Sequence, residues 1–235
     1  MLLSNLTLLN NYKYTKEYRR TLSQLSNLYN AIHNYSKAKE FASEAKYRYE
    51  EALDFSRGYI LCLHRCAKLE RGNENYFLAL LLEDVALQEL YRNKTFGVLS
   101  GKPTSREFFL ADCLSNAAVH YNQVGFRDEA YLNLEKAIEI AIANNLDPST
   151  YYSNLADLYI ASRDFGKAVV AKQEAYNLSK SEYNKIEIGT CLGLAQFLAQ
   201  QPISAKVVKE TSNYLISLLS RTFAFTTTNE RRNFW

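Results

Sequence analysis

Residues 116–140 read NAAVHYNQVGFRDEAYLNLEKAIEI, two stretches of helical apolar spacing on either side of Gly125-Phe126-Arg127-Asp128. Ala118 is followed twelve positions later by Ala130 and seven after that by Ala137. Two antiparallel helices approach closely only where side chains are small, so small residues at these intervals mark the crossing within a helical hairpin. Leu114 precedes Ala118 by four residues, one helical turn, and so faces the same neighbour. The turn residues between the stretches stop one helix and leave room for the next to return.

The same spacing recurs along the chain as Ser26, Ala38, Ala45, as Ala67, Ala79, Ala86 and as Ala156, Ala168, Ala175, with a weaker copy in Gly193, Ala205, Ser212. Leu22, Leu63 and Tyr152 stand four positions ahead of the first member in the other three good copies. Turn signals fall inside each copy, at Asn34-Tyr35, Asn73-Glu74-Asn75, Arg163-Asp164-Phe165 and Gln201-Pro202. Ten helices in five hairpins are expected. Successive copies are offset by 41, 51, 38 and 37 residues. The widest interval contains RNKTFGVLSGKPTSRE, where Gly97, Gly101 and Pro103 break the helix and Thr104 with Glu107 suggests a capping box; a surface excursion is expected there.

These copies resemble the tetratricopeptide repeat. The third and fourth, residues 116–140 and NLADLYIASRDFGKAVVAKQEAYNL at 154–178, come close to that family's helix-turn-helix pattern, and QLSNLYNAIHNYSKAKEFASEAKYRY at 24–49 nearly as close. Tyr29, Tyr121 and Tyr159 sit three residues after the small position in each. The resemblance implies an all-α, right-handed α-α superhelix of about five hairpins over 15–221, at roughly 15–55, 57–93, 105–145, 149–180 and 182–221. Residues 1–14 read as a flanking helix or the remnant of a preceding repeat, and 222–235 as a linker and the start of a further helix. The copy-to-copy intervals exceed the family's usual length of about 34. Glu70 replaces the tyrosine of the second copy, while Glu83 and Lys172 occupy usually apolar places on second helices. Each is expected to reach solvent or a local partner; a functional carboxylate at Glu70 is the sharper reading.

If the resemblance holds, the first helix of each hairpin lines a concave groove that takes a protein or peptide ligand. Its wall carries Ser23, Asn27 and Asn30, then His64, Lys68 and Arg71, then Ser115, Val119 and Asn122, and finally Ser153 and Asp157. Asparagine amides can hold a peptide backbone from both ends, and Lys68 with Arg71 can hold a carboxylate, so a peptide with an acidic group is the expected ligand. A merely solvated polar face is the alternative.

Other chemistry is not indicated. The formal charge of +3, from 28 basic and 25 acidic residues, is too small and too evenly spread for counterion-driven nucleic-acid binding. No apolar run is long enough to span a bilayer. Four cysteines lack the density of a disulfide scaffold and point to a reducing, cytoplasmic setting. The eight glycines form no phosphate loop, and neither a cofactor nor catalysis is expected. Cys62 and Cys66 lie one turn apart with His64 on another face, so no metal site is expected from them. The tail RTFAFTTTNERRNFW at 221–235 leaves the repeat pattern; Phe223, Phe225, Thr227, Asn229, Glu230, Arg231, Phe234 and Trp235 resemble the junction to the caspase-like CHAT domain in bacterial repeat-CHAT fusions. That resemblance implies the recognition or regulatory arm of a longer protein. A peptide-responsive regulator or adaptor acting alone is the second reading, and pairing of two copies through exposed terminal hairpins is a further expectation.

Overall fold

The computed structural model describes residues 15–92 and 106–203, with 205, 206, 208, 209, 212 and 213 beyond them. The flanking segment 1–14, the excursion with its Thr104 cap and the CHAT-like junction lie outside the described residues. Within them the chain is all-α: α1 Lys16–Ala31, α2 Tyr35–Glu51, α3 Arg57–Gly72, α4 Tyr76–Arg92, α5 Arg106–Gln123, α6 Arg127–Ala143, α7 Ser149–Ala161, α8 Phe165–Leu178 and α9 Glu182–Leu198. The chain divides into two compact units, residues 1–144 and 145–235. In the first, each of α1 to α5 packs on the next in chain order; in the second, α7 packs on α8 and α8 on α9.

One turn is used in every hairpin. The residues after α1, α3, α5, α7 and α9 reach a left-handed backbone at His33, Glu74, Gly125, Arg163 and Gln200, with φ of 57°, 63°, 93°, 61° and 55°. The next N–H then bonds back across the helix end, Asn34 to the Tyr29 carbonyl at 2.8 Å, Asn75 to Glu70 at 2.9 Å, Phe126 to Tyr121 at 2.9 Å, Asp164 to Tyr159 at 2.8 Å and Gln201 to Gln196 at 2.9 Å. This cap satisfies carbonyls that the helix end would otherwise leave bare and reverses the chain within three residues. Only Gly125 adopts the conformation without steric cost. Asn34 and Asp164 then cap the following helices, accepting from the Lys37 and Lys167 N–H groups.

All twelve small residues of the four strong copies have no exposed surface. They form the crossings as expected, and Ser26 also donates its hydroxyl to the Ala38 carbonyl at 2.8 Å, a bond made at the point of closest approach. Leu22, Leu63 and Leu114, at 1%, 0% and 3% exposure, fill the space beside them. In the weak fifth copy, Gly193 is half-buried while Ala205 and Ser212 are exposed, so its spacing is kept without the burial that marks the other crossings. In the second unit the core gathers Val169, Tyr176, Ile188 and Leu192 around Ala168, Ala175 and Ala195.

Candidate functional site

In the first unit the first helices of successive hairpins stand side by side. The Arg65 guanidinium of α3 donates to the Ser23 carbonyl of α1 at 2.9 Å. His64 Nε2 of α3 lies 3.3 Å from Asp112 Oδ2 of α5, and the Arg57 guanidinium sits over the Phe109 ring at 4.9 Å. The groove residues expected from sequence fall into two sets along these helices. Asn27, Asn30 and Lys68 are exposed, and Arg71, Val119 and Asn122 half-buried, so all six are accessible on α1, α3 and α5, and all but Val119 are polar. Ser23, His64 and Ser115, one turn earlier, are more enclosed, Ser115 being only 2% exposed. In the second unit Ser153 is half-buried and Asp157 exposed on α7.

The departures from the repeat pattern explain part of this enclosure. Glu70 lies at 6% exposure, ion-paired with Lys39 at 2.7 Å and accepting from Asn75 Nδ2 at 2.8 Å. Its carboxyl stays below the usual range: burial alone would raise it, but the bonds from Lys39 and Asn75 outweigh that. Lys172 is 1% exposed, and its ammonium meets Asp157 Oδ1 at 2.8 Å and Ser153 Oγ at 2.7 Å. Glu83 has no exposed surface, and its Oε1 stands 2.7 Å from His64 Nδ1. None of the three is exposed; Glu70 and Lys172 have found local partners, Glu83 lies against His64 without a hydrogen bond of good geometry, and Lys172 and Glu83 draw on residues of the expected groove.

Beside Glu83 lies Cys113 of α5, and ligand-type atoms of His64, Glu83 and Cys113 all fall within 4.8 Å of one another. Burial pushes the Glu83 carboxyl up against the pull of the His64 ring, with the Asp112 charge adding to the push. Burial also raises the Cys113 thiol well above its ordinary range, and the Glu83 and Asp112 charges raise it further. His120, two residues past the Ala118 crossing, has no exposed surface and is brought down to about 4, first by burial and then by the charges of Arg71 and His64. Cys62 and Cys66 are buried in α3, where the Cys62 thiol donates to the Ala42 carbonyl at 3.4 Å; they pack as expected. The grouping of His64 with Glu83 and Cys113 was missed because its members come from three helices. Only the polar residue at position 83 signalled it.

Hairpins joined by this turn and crossed at small residues define a tetratricopeptide-type array, and the comparison with solved structures agrees. The chain is similar to BtubC from P. vanneervenii, with 16% identity, 96% of this chain and 89% of that one covered and a TM-score of 0.66. It is similar to the nearly identical TPR-like repeats of a kinesin light chain from Podosopora anserina, at 16% identity, 85% and 95% coverage and a TM-score of 0.62. A Rap protein complexed with Competence and Sporulation Factor matches at 17% identity, 92% and 58% coverage and a TM-score of 0.67. No protein-family model matches the sequence, and no curated protein matches it. The fold is that of tetratricopeptide-type solenoids. Among the described residues no helix is long and apolar enough to cross a membrane.

Proposed function

We propose that the chain is a non-catalytic scaffold that binds protein or peptide along the polar stripe of its first helices, and that the ligand carries an acidic group. The observation that carries this reading is the state of Lys68 and Arg71. Both are accessible, one turn apart on α3, and neither makes an ion pair with a described residue. Other cations of the described helices, Lys136 and Arg163 among them, also make no ion pair with a described residue, so what singles out Lys68 and Arg71 is their place beside the accessible asparagines of the first helices. Asn27, Asn30 and Asn122 on the flanking helices supply amides for a peptide backbone. The complex of a Rap protein with its factor supports use of this fold for capturing a ligand.

Fluorescence anisotropy with a labelled acidic peptide library tests the reading. Substituting Lys68 and Arg71 together by Ala should weaken the best binder by a factor on the order of 10 to 100, the loss of two charge-assisted bonds. Unchanged affinity would sink it. The four free cysteines support a reducing, cytoplasmic setting. The finer reading is the recognition arm of a longer bacterial protein with a CHAT-type domain; a free-standing regulator or adaptor is the second. The exposed Leu194 and Phe197 on α9 support pairing of two copies through terminal hairpins, which light scattering of the purified chain would reveal.

A further inference from the structure

We propose that His64, Glu83 and Cys113 form a site for a divalent transition metal, zinc by donor chemistry, that joins the second hairpin to the third. The three donors are an imidazole nitrogen, a carboxylate oxygen and a sulfur, one from each of α3, α4 and α5, gathered within 4.8 Å. Donor atoms on a tetrahedral zinc stand roughly 3–4 Å apart, a spacing that small side-chain rotations reach from here. A mixed nitrogen, oxygen and sulfur set suits zinc better than the all-oxygen cages of magnesium or calcium.

Two further observations point to a ligand in this space. Glu83 is wholly buried, yet neither of its oxygens accepts a hydrogen bond of good geometry from a described residue; even His64 Nδ1, at 2.7 Å, lies off the line a ring N–H would take. A buried carboxylate is costly unless it is paired or bound to a metal. Second, Asp112 sits on the other side of the His64 ring, with Oδ2 at 3.3 Å from Nε2. A carboxylate on that side favours the tautomer with its proton on Nε2, which would leave the Nδ1 lone pair for a metal, as carboxylate partners do for metal-bound histidines. Lys68, the nearby cation, is exposed and makes no hydrogen bond to any of the three. Three protein ligands leave a fourth position for water, and the 13% exposure of the His64 side chain opens the site to solvent. The metal would tie α3 and α4 to α5 across the widest interval between repeats.

The test is titration of the metal-stripped full chain with Co²⁺, followed by absorbance. The expected result is one equivalent bound with a thiolate-to-cobalt charge-transfer band and displaced by Zn²⁺. The band should vanish in Cys113→Ser and persist in Cys191→Ser, and Asp112→Asn should weaken binding about 10- to 100-fold. Absence of the band in the unmodified chain overturns the proposal whatever the variants do, and so does a band that survives Cys113→Ser.

Discussion

Glu83 in the second hairpin and Lys172 in the fourth occupy the same place in the repeat, sixteen residues after the small crossing residue, and carry opposite charges. In the first and third hairpins that place holds Ala42 and Leu134, at 1% and 0% exposure, so it belongs to the core. Each buried charge is met by the residue nineteen positions earlier on its own first helix, His64 for Glu83 and Ser153 for Lys172. The surroundings then diverge. Lys172 is doubly satisfied, by Ser153 and by the partly exposed Asp157, whereas Glu83 has only an ill-aligned imidazole and a neighbouring thiol. A backbone fixed by small crossing residues and capped turns tolerates a charge beside the crossing when the first helix supplies its complement. The fourth hairpin is complete in that sense, and the second is complete only with a further cation.

The largest effect is expected when the fourth hairpin is made to carry the second one's charge. Lys172→Glu sets a buried carboxylate against Asp157 and should destabilise by about 3–5 kcal/mol, read as a fall in the denaturant midpoint. Adding Asp157→Lys should restore part of the loss; an unchanged midpoint in the single variant would show that position 172 is not coupled to Asp157. A somewhat smaller effect separates the two units by pH. The three histidines all lie in the first unit, and His120 is held neutral there with its value brought down from 6.5 to about 4. The unfolded chain therefore binds the proton first, so stability is full above pH 6.5 and is lost as pH falls toward 4, by up to roughly 3 kcal/mol. Hydrogen exchange should accelerate in α5 over that range ahead of α7 and α8, and His120→Gln should flatten the difference. Parallel acceleration in both units would contradict it.

The sequence made the crossings and turns legible because both depend on local chemistry. A residue must be small where two helices touch, and the chain must reverse within three residues, so Ala118 with Ala130 and Gly125 with Phe126 announce a hairpin without knowledge of anything distant. The left-handed turn residues repeat at the same offsets as the alanines, from His33 to Glu74 to Gly125 to Arg163 to Gln200. The exposure of the residues expected to line a groove was legible only in part. The accessible stripe of Asn27, Asn30, Lys68 and Arg71 follows from helical period, but the enclosure of His64 and Ser153 depends on what the second helix sends back nineteen residues later. The approach of Cys113 to Glu83 spans the longest insertion in the repeat, where spacing carries no information about register.

Chemical-shift mapping on the isotopically labelled chain would locate the ligand, which is proposed to lie along the first helices. Addition of the best-binding acidic peptide should shift amide signals around Asn27, Asn30, Lys68, Arg71 and Asn122, and leave the exposed faces of α2, α4 and α6 unchanged. Shifts concentrated on those second helices, with the first-helix stripe silent, would contradict the account.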